Sequence, residues 1–216
     1  MTLNFQKIYE LVYQHDTLRD PLRKTALGSY GSQDNRDQNF IEWIQKEFHT
    51  DSKIFDASCG RGHLALRLRE LGYQVEASEF CKWIIENELI KYNIPIYNLS
   101  YEELDKLPQK QYDCVCSNDV MEHLEFSSVE KSIENLCRLS KRGICFTISC
   151  GHGATKYPTA IYLKDREQYR FLNHLDLHQC VRSPNWWIKL LNKFIDTKYG
   201  VIRIFRKSFF YAGFVK

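Results

Sequence analysis

The chain has 216 residues, a formal net charge of +3, and is 44% hydrophobic and 14% aromatic. That length suits one domain with a sizeable core, and a charge so near neutral gives no electrostatic case for nucleic acid. No apolar run approaches the roughly 20 residues of a membrane span, and the polar start MTLNFQKIYE has no apolar signal stretch, so neither a membrane location nor export is expected.

In chain order, residues 3 to 14 and 39 to 48 carry apolar residues at helical spacing, which predicts two helices. Between them lies the polar, glycine-containing loop GSYGSQDNRDQ. From residue 53 the rhythm becomes strand then helix. KIFDA, YQVEASE, IPIYN, YDCVCSN and RGICFTIS read as strands, and GHLALRLRELG, CKWIIENELIKY, SYEELDKL and SVEKSIENLCRLS as the helices between them. Strands alternating with helices predict a parallel sheet covered on both faces. The short apolar runs with little alternation suit strands buried on both sides.

After Cys150 comes a long, irregular stretch rich in aromatics and histidines. A loop of that length in a small domain is expected to be functional. PNWWIKLLNKF then predicts a helix opened by Ser183 or Asn185 beside Pro184. YGVIRIFRK and SFFYAGFVK predict an antiparallel hairpin at a sheet edge, with its lysines and arginines in solvent. The eight cysteines form no CxxC pair and several sit in apolar runs. They are expected to be free thiols acting as small hydrophobes in a reducing cytoplasm.

The chemistry concentrates at IFDASCGRGH, residues 54 to 63. Gly60 and Gly62 suit a turn where ligand approaches the backbone, at a helix N-terminus with unpaired N–H groups. The spacing fits a dinucleotide GxGxxG loop poorly, because Ser58 and His63 would occupy two glycine positions. Asp56 would also repel a pyrophosphate, whereas a ligand carrying ammonium or sulfonium would welcome it.

DASCGRG resembles the D-x-G-x-G-x-G loop of class I S-adenosyl-L-methionine (SAM)-dependent methyltransferases, with Ser58 replacing the first glycine. YDCVCSNDVMEHL is similar to that family's fourth-strand segment, especially in its small-molecule branch. The resemblance covers residues 53 to 150. It implies a Rossmann-like α/β fold: a doubly wound, mostly parallel seven-stranded sheet with a C-terminal antiparallel hairpin and an N-terminal helical lid. It implies one domain over 1–216, made of a helical cap (1–50), a SAM-binding core (51–150), a substrate-side insertion and helix (151–193) and a terminal hairpin (194–216). SAM is the implied cofactor. Its implied contacts are Asp56, Ser58, Gly60 and Gly62, Glu79 for the ribose hydroxyls, Phe80, Ser100 and Tyr101 near the adenine, and Asn118.

Methyl transfer requires alignment of the acceptor, exclusion of water and, for a hydroxyl, removal of a proton. His123 reads equally as that base or as a histidine packed beside a helix start. Asp119 either faces ligand or caps the helix expected near Met121, and His152 between two glycines is a second base candidate. Tyr30, His174, His178 and Trp186 are the candidates for the acceptor side. Adjacent helical residues point about 100° apart, so of Trp186 and Trp187 one is expected in the core and the other, taken as Trp186, toward the acceptor. His174 and His178 in HLDLH are too thin a set for a metal, and none is expected.

No NPPY-like segment follows strand four, no Pro-Cys nucleophile occurs, and no paired-glutamate loop is present. The expected acceptor is therefore small, a sugar or other metabolite methylated on oxygen or nitrogen. The alternatives are an RNA methyltransferase using the basic tail, or a SAM-binding protein without catalysis.

Overall fold

A computed structural model describes residues 6, 8–10, 13, 36–150, 178–205 and 208–215. Helix α1 is helical at residues 6, 8–10 and 13, and α2 is Arg36–Glu47. There follow β1 (Lys53–Ala57), α3 (His63–Glu70), β2 (Gln74–Ser78), α4 (Lys82–Ile84), β3 (Ile96–Tyr97), β4 (Tyr112–Asn118), α5 (Val129–Leu139) and β5 (Ser140–Ser149). Helix α6 (Pro184–Leu191) and the hairpin of β6 (Val201–Phe205) and β7 (Ser208–Phe214) complete it.

The seven strands form one sheet in the order β3-β2-β1-β4-β5-β7-β6. β1 pairs in parallel with both β2 and β4, β4 with β5, and only β7 runs antiparallel, against β5 and β6. Strand order reverses between β1 and β4. In such sheets the crevice beyond the carboxyl ends of those two strands is where ligands bind.

Period-two alternation distributes the strand residues to two buried faces. Phe55, Val115, Phe146, Phe209 and Tyr211 share a cluster with Trp187, Leu190 and Leu191 of α6. Ile54, Cys114, Cys116, Cys145 and Phe210 share the other with Phe40 and Ile44 of α2. Each fully buried Phe, Ile or Leu contributes roughly 1.5–3 kcal/mol relative to exposure. All eight cysteines are free thiols, six of them buried, as their apolar settings predicted.

Helix α6 starts where Ser183 accepts a hydrogen bond from the Trp186 N–H (3.3 Å), with Pro184 at the first turn. Three expectations need refinement. The segment predicted as one helix over 81–92 is α-helical only at Lys82–Ile84. It widens to a π-helical turn at Ile85–Leu89, then tightens to a 3-10 turn at Ile90–Tyr92. β3 is only two residues long, because Pro95 has no N–H to donate and the strand lies at the sheet edge. SYEELDKL forms a 3-10 turn at Glu102–Lys106. Among the described residues no helix is long and apolar enough to cross a membrane.

Candidate active site

The β1–α3 turn is left-handed at three positions: Ser58 (φ 52°), Gly60 (φ 54°) and Gly62 (φ 75°). Ser58 takes a conformation that normally favours glycine, at a cost of about 1–2 kcal/mol. Its N–H donates to Ser78 Oγ (3.2 Å), and the Cys59 N–H to the Ser78 carbonyl (2.8 Å), so the end of β2 holds the turn. A Cβ on Gly62 would come within 2.9 Å of Leu89. The π turn after α4 is thus packed against this glycine. It also presents Glu88 to Arg61, with which it forms an ion pair.

Glu79, 1% exposed, closes the loop from the other side. Its Oε2 accepts from the Gly60 N–H (3.0 Å) and its Oε1 from the Cys81 N–H (2.9 Å). Burial pushes its carboxyl up to about 7, and the backbone donors only partly offset this. Asp56 is 2% exposed, and its Oδ2 is buried with no hydrogen-bond partner. Burial first, then Cys116 and Asp37, push its carboxyl well above the usual range. A buried acid with one oxygen orphaned, beside a left-handed glycine turn, fits a ligand that brings its own positive charge. The residues present therefore suit the ammonium and sulfonium of SAM.

Asn98 Nδ2 donates to the carbonyls of Glu79 (2.9 Å) and Phe80 (3.0 Å), fixing the chain after β2. The Tyr101 hydroxyl donates to the Ala57 carbonyl (3.0 Å) and pairs with Ser117 Oγ (2.8 Å). Asn118, last in β4, donates from Nδ2 to Asp37 Oδ1 of α2 (3.0 Å). Beyond it Asp119 is left-handed (φ 52°), and a single 3-10 turn follows at Met121–His123. That turn is capped at Val120 without a side-chain bond, so Asp119 is not its cap. His123 Nδ1 shares a 2.8 Å hydrogen bond with the Tyr9 hydroxyl of α1. The His178 ring lies edge-on to it at 4.7 Å. Tyr9 also packs edge-on to Phe80 at 5.1 Å, so one tyrosine spans the Glu79 loop and the His123 turn.

These groups line one cavity of about 470 Å³. Of the expected residues, Asp56, Ser58, Gly60, Glu79, Phe80, Ser100, Tyr101, Asn118, Asp119, His123 and His178 are on its wall. Gly62 is not; it is the residue before α3, packed behind the turn. Trp186 is not on it either. It packs against Phe126 with the rings tilted (5.9 Å), under Arg182, because Trp187 takes the core-facing position one residue on. Tyr30, His152 and His174 lie outside the described residues.

Sequence reasoning missed Tyr9, Tyr13, Asp37, Arg61, His63 and Glu122, all on the wall. Tyr9 and Tyr13 are four apart on one helix face, a signal that reads as core packing until a ligand cavity is known. Among the described residues, the wall carries seven acidic side chains (Asp37, Asp56, Glu79, Glu102, Asp119, Glu122, Glu125) and one arginine. That arginine, Arg61, is already paired with Glu88. Burial, with Arg61 beside it, pushes His63 down, away from its charged form.

Among curated proteins no relative matches the chain. The family described as a methyltransferase domain matches residues 32–187. Among solved structures the chain is similar to the PH0226 protein of Pyrococcus horikoshii OT3, with 14% identity, a TM-score of 0.64, and coverage of 88% of this chain and 95% of that one. It is equally similar to magnesium protoporphyrin IX methyltransferase of Synechocystis PCC 6803 with bound SAM (14% identity, TM-score 0.64, coverage 100% and 98%). At such identities these structures speak for the fold, and the family match speaks for the activity. The chain belongs to the methyltransferase-domain family, the class I, Rossmann-like methyltransferases whose methyl donor is S-adenosyl-L-methionine.

Proposed function

We propose that this enzyme methylates a small acceptor, on an oxygen or nitrogen of a sugar or comparable metabolite, in the reducing cytoplasm. The observation that carries the reading is the acid content of the wall: among the described residues, five acidic side chains besides the buried Asp56 and Glu79 line the cavity, and the arginine there is paired with Glu88. Such a wall attracts a cationic donor and tolerates a neutral acceptor, while a phosphate backbone would be repelled. An RNA acceptor is therefore disfavoured.

When bound, SAM supplies an electrophilic methyl carbon: the acceptor's lone pair forms the new bond as the carbon–sulfur bond breaks, and that electron pair stays on sulfur. The residues do the rest. Asp56 and Glu79 hold the charged and hydroxylated parts of the donor, and the left-handed turn at Ser58 and Gly60 lets it approach the backbone. Ser100, Tyr101 and Asn118 border it. Tyr9 and Tyr13 of α1 close over the cavity as part of an N-terminal cap, which excludes water. The acceptor lies toward Asp119, His123 and His178. His123, oriented by Tyr9, is placed to receive its proton, with His152 the second candidate.

Radiolabelled SAM offered with panels of sugars, small hydroxyl and amine metabolites, and total RNA tests the reading. Label is expected in a small acceptor, and His123→Ala is expected to lose roughly 100-fold or more in turnover while S-adenosylhomocysteine affinity holds. Label found only in RNA would overturn it.

A further inference from the structure

On the acceptor side of the cavity, the ligating atoms of Glu122, His123 and His178 all lie within 4.8 Å of one another. We propose that these three side chains form a divalent-cation site. One carboxylate and two imidazoles on one side of an ion suit Mn²⁺, Fe²⁺, Co²⁺ or Zn²⁺ and leave positions open for an acceptor. Ligands about 2.1 Å from one ion sit about 3 Å apart at right angles, so small side-chain rotations close the set.

The surroundings are built like the outer shell of a metal centre. Glu122 is 1% exposed, and its Oε1 accepts from the Ser149 N–H (3.1 Å) at the end of β5. The Tyr9 hydroxyl engages His123 Nδ1 (2.8 Å), which assigns the ion to Nε2. The Cys180 N–H donates to the Glu122 carbonyl (2.9 Å), which pins the returning chain two residues after His178. That bond is why residues 55 apart in sequence meet here. Asp119 and Glu125 on the same wall add the negative charge that a cation requires. The expectation of no metal rested on HLDLH taken alone; two of the three ligands come instead from DVMEHL.

The site's role rests on the reading of a small hydroxyl acceptor. A cation here binds the acceptor oxygen and lowers its pKa, so that the proton leaves to water before methyl transfer. His123 then serves as a ligand, and the cation does the work otherwise asked of a base.

The test uses the full chain, stripped with EDTA and desalted. Mn²⁺ binding is read from the paramagnetic resonance of the free ion, and Co²⁺ binding from visible absorption. One ion per chain is expected, with weak metal-centred bands and no sulfur-to-metal charge transfer. His178→Ala and Glu122→Gln should each weaken binding by about tenfold or more. His178 is half-buried, so its variant keeps the test informative should the Glu122 variant misfold.

No binding at millimolar ion would overturn the proposal. So would undiminished binding in the His178 variant. An intense sulfur band would do the same, because the buried thiols of Cys114, Cys116 and Cys145 are then the ligands. Calorimetry with S-adenosylhomocysteine on the same samples separates the two readings. Cofactor binding without metal binding defeats this inference alone. Metal binding without cofactor binding upholds the site and defeats its assignment to methyl transfer.

Discussion

Glu79 shows how one buried acid couples folding to ligand. Its ordinary value of 4.5 rises to about 7 in the fold, because burial outweighs two backbone donors. Between those values the folded chain holds a proton that the unfolded chain has released. The stability this carboxyl contributes is therefore present at low pH and lost as pH rises through about 7. In the role proposed for Glu79, holding ribose hydroxyls, the carboxylate must be ionised, so binding runs the other way. S-adenosylhomocysteine affinity is expected to fall about tenfold for each pH unit below 7, while resistance to urea increases. Glu79→Gln should weaken binding and flatten both pH profiles. Calorimetry and urea titrations from about pH 5.5 to 8.5 check both signs. Asp56 is displaced in the same direction for the same first cause. Ser58 illustrates a different residue-scale compromise: it holds a glycine's conformation, with its N–H engaged by Ser78 Oγ.

Among the elements, α6 separates packing from function within two adjacent side chains. Trp187 is fully buried against the β5–β7 side of the sheet, and Trp186 lies out on Phe126. Trp187→Ala is expected to cost about 3–5 kcal/mol. Trp186→Ala should cost under about 1 kcal/mol and leave cofactor affinity unchanged. Urea unfolding and calorimetry on the pair decide this, and a loss of cofactor affinity in the Trp186 variant would contradict its place outside the cavity. The strands were legible because each is a short apolar run ending in turn residues: KIFDA, read from the sequence, is β1 to the residue. The α4 segment was not. A π turn arises where Glu88 and Leu89 must meet Arg61 and Gly62, and those partners are 27 residues away from each other's sequence window. The acids of the motif could be named from local spacing. Tyr9 could not, since its meaning comes from Phe80 and His123, more than seventy residues on. Helical phase says that Trp186 and Trp187 differ in direction without saying which faces a cavity, and among the described residues the cavity wall does not include Trp186.

At the scale of the whole molecule, the sheet order brings two distant parts of the chain to one crevice. The reversal between β1 and β4 sets the glycine turn beside Asn118 and Asp119, and α1 and α2 bring Tyr9, Tyr13 and Asp37 to the same space. The family match over residues 32–187 spans this crevice. Among the described residues the wall they enclose is rich in acids, and its arginine is paired with Glu88. Donor and spent donor differ by one positive charge, on sulfur, and that charge disappears with each turnover. An acid-lined pocket therefore loses its electrostatic grip on the product at the moment the product forms. Product inhibition should be weak, and exchange of spent for fresh donor should be driven by charge. An unreactive donor analogue with an ammonium at the sulfur's position is expected to bind about tenfold or more tightly than S-adenosylhomocysteine at low salt. That advantage should shrink as ionic strength rises, and equal affinities for the two would mean that the wall's acids are held neutral.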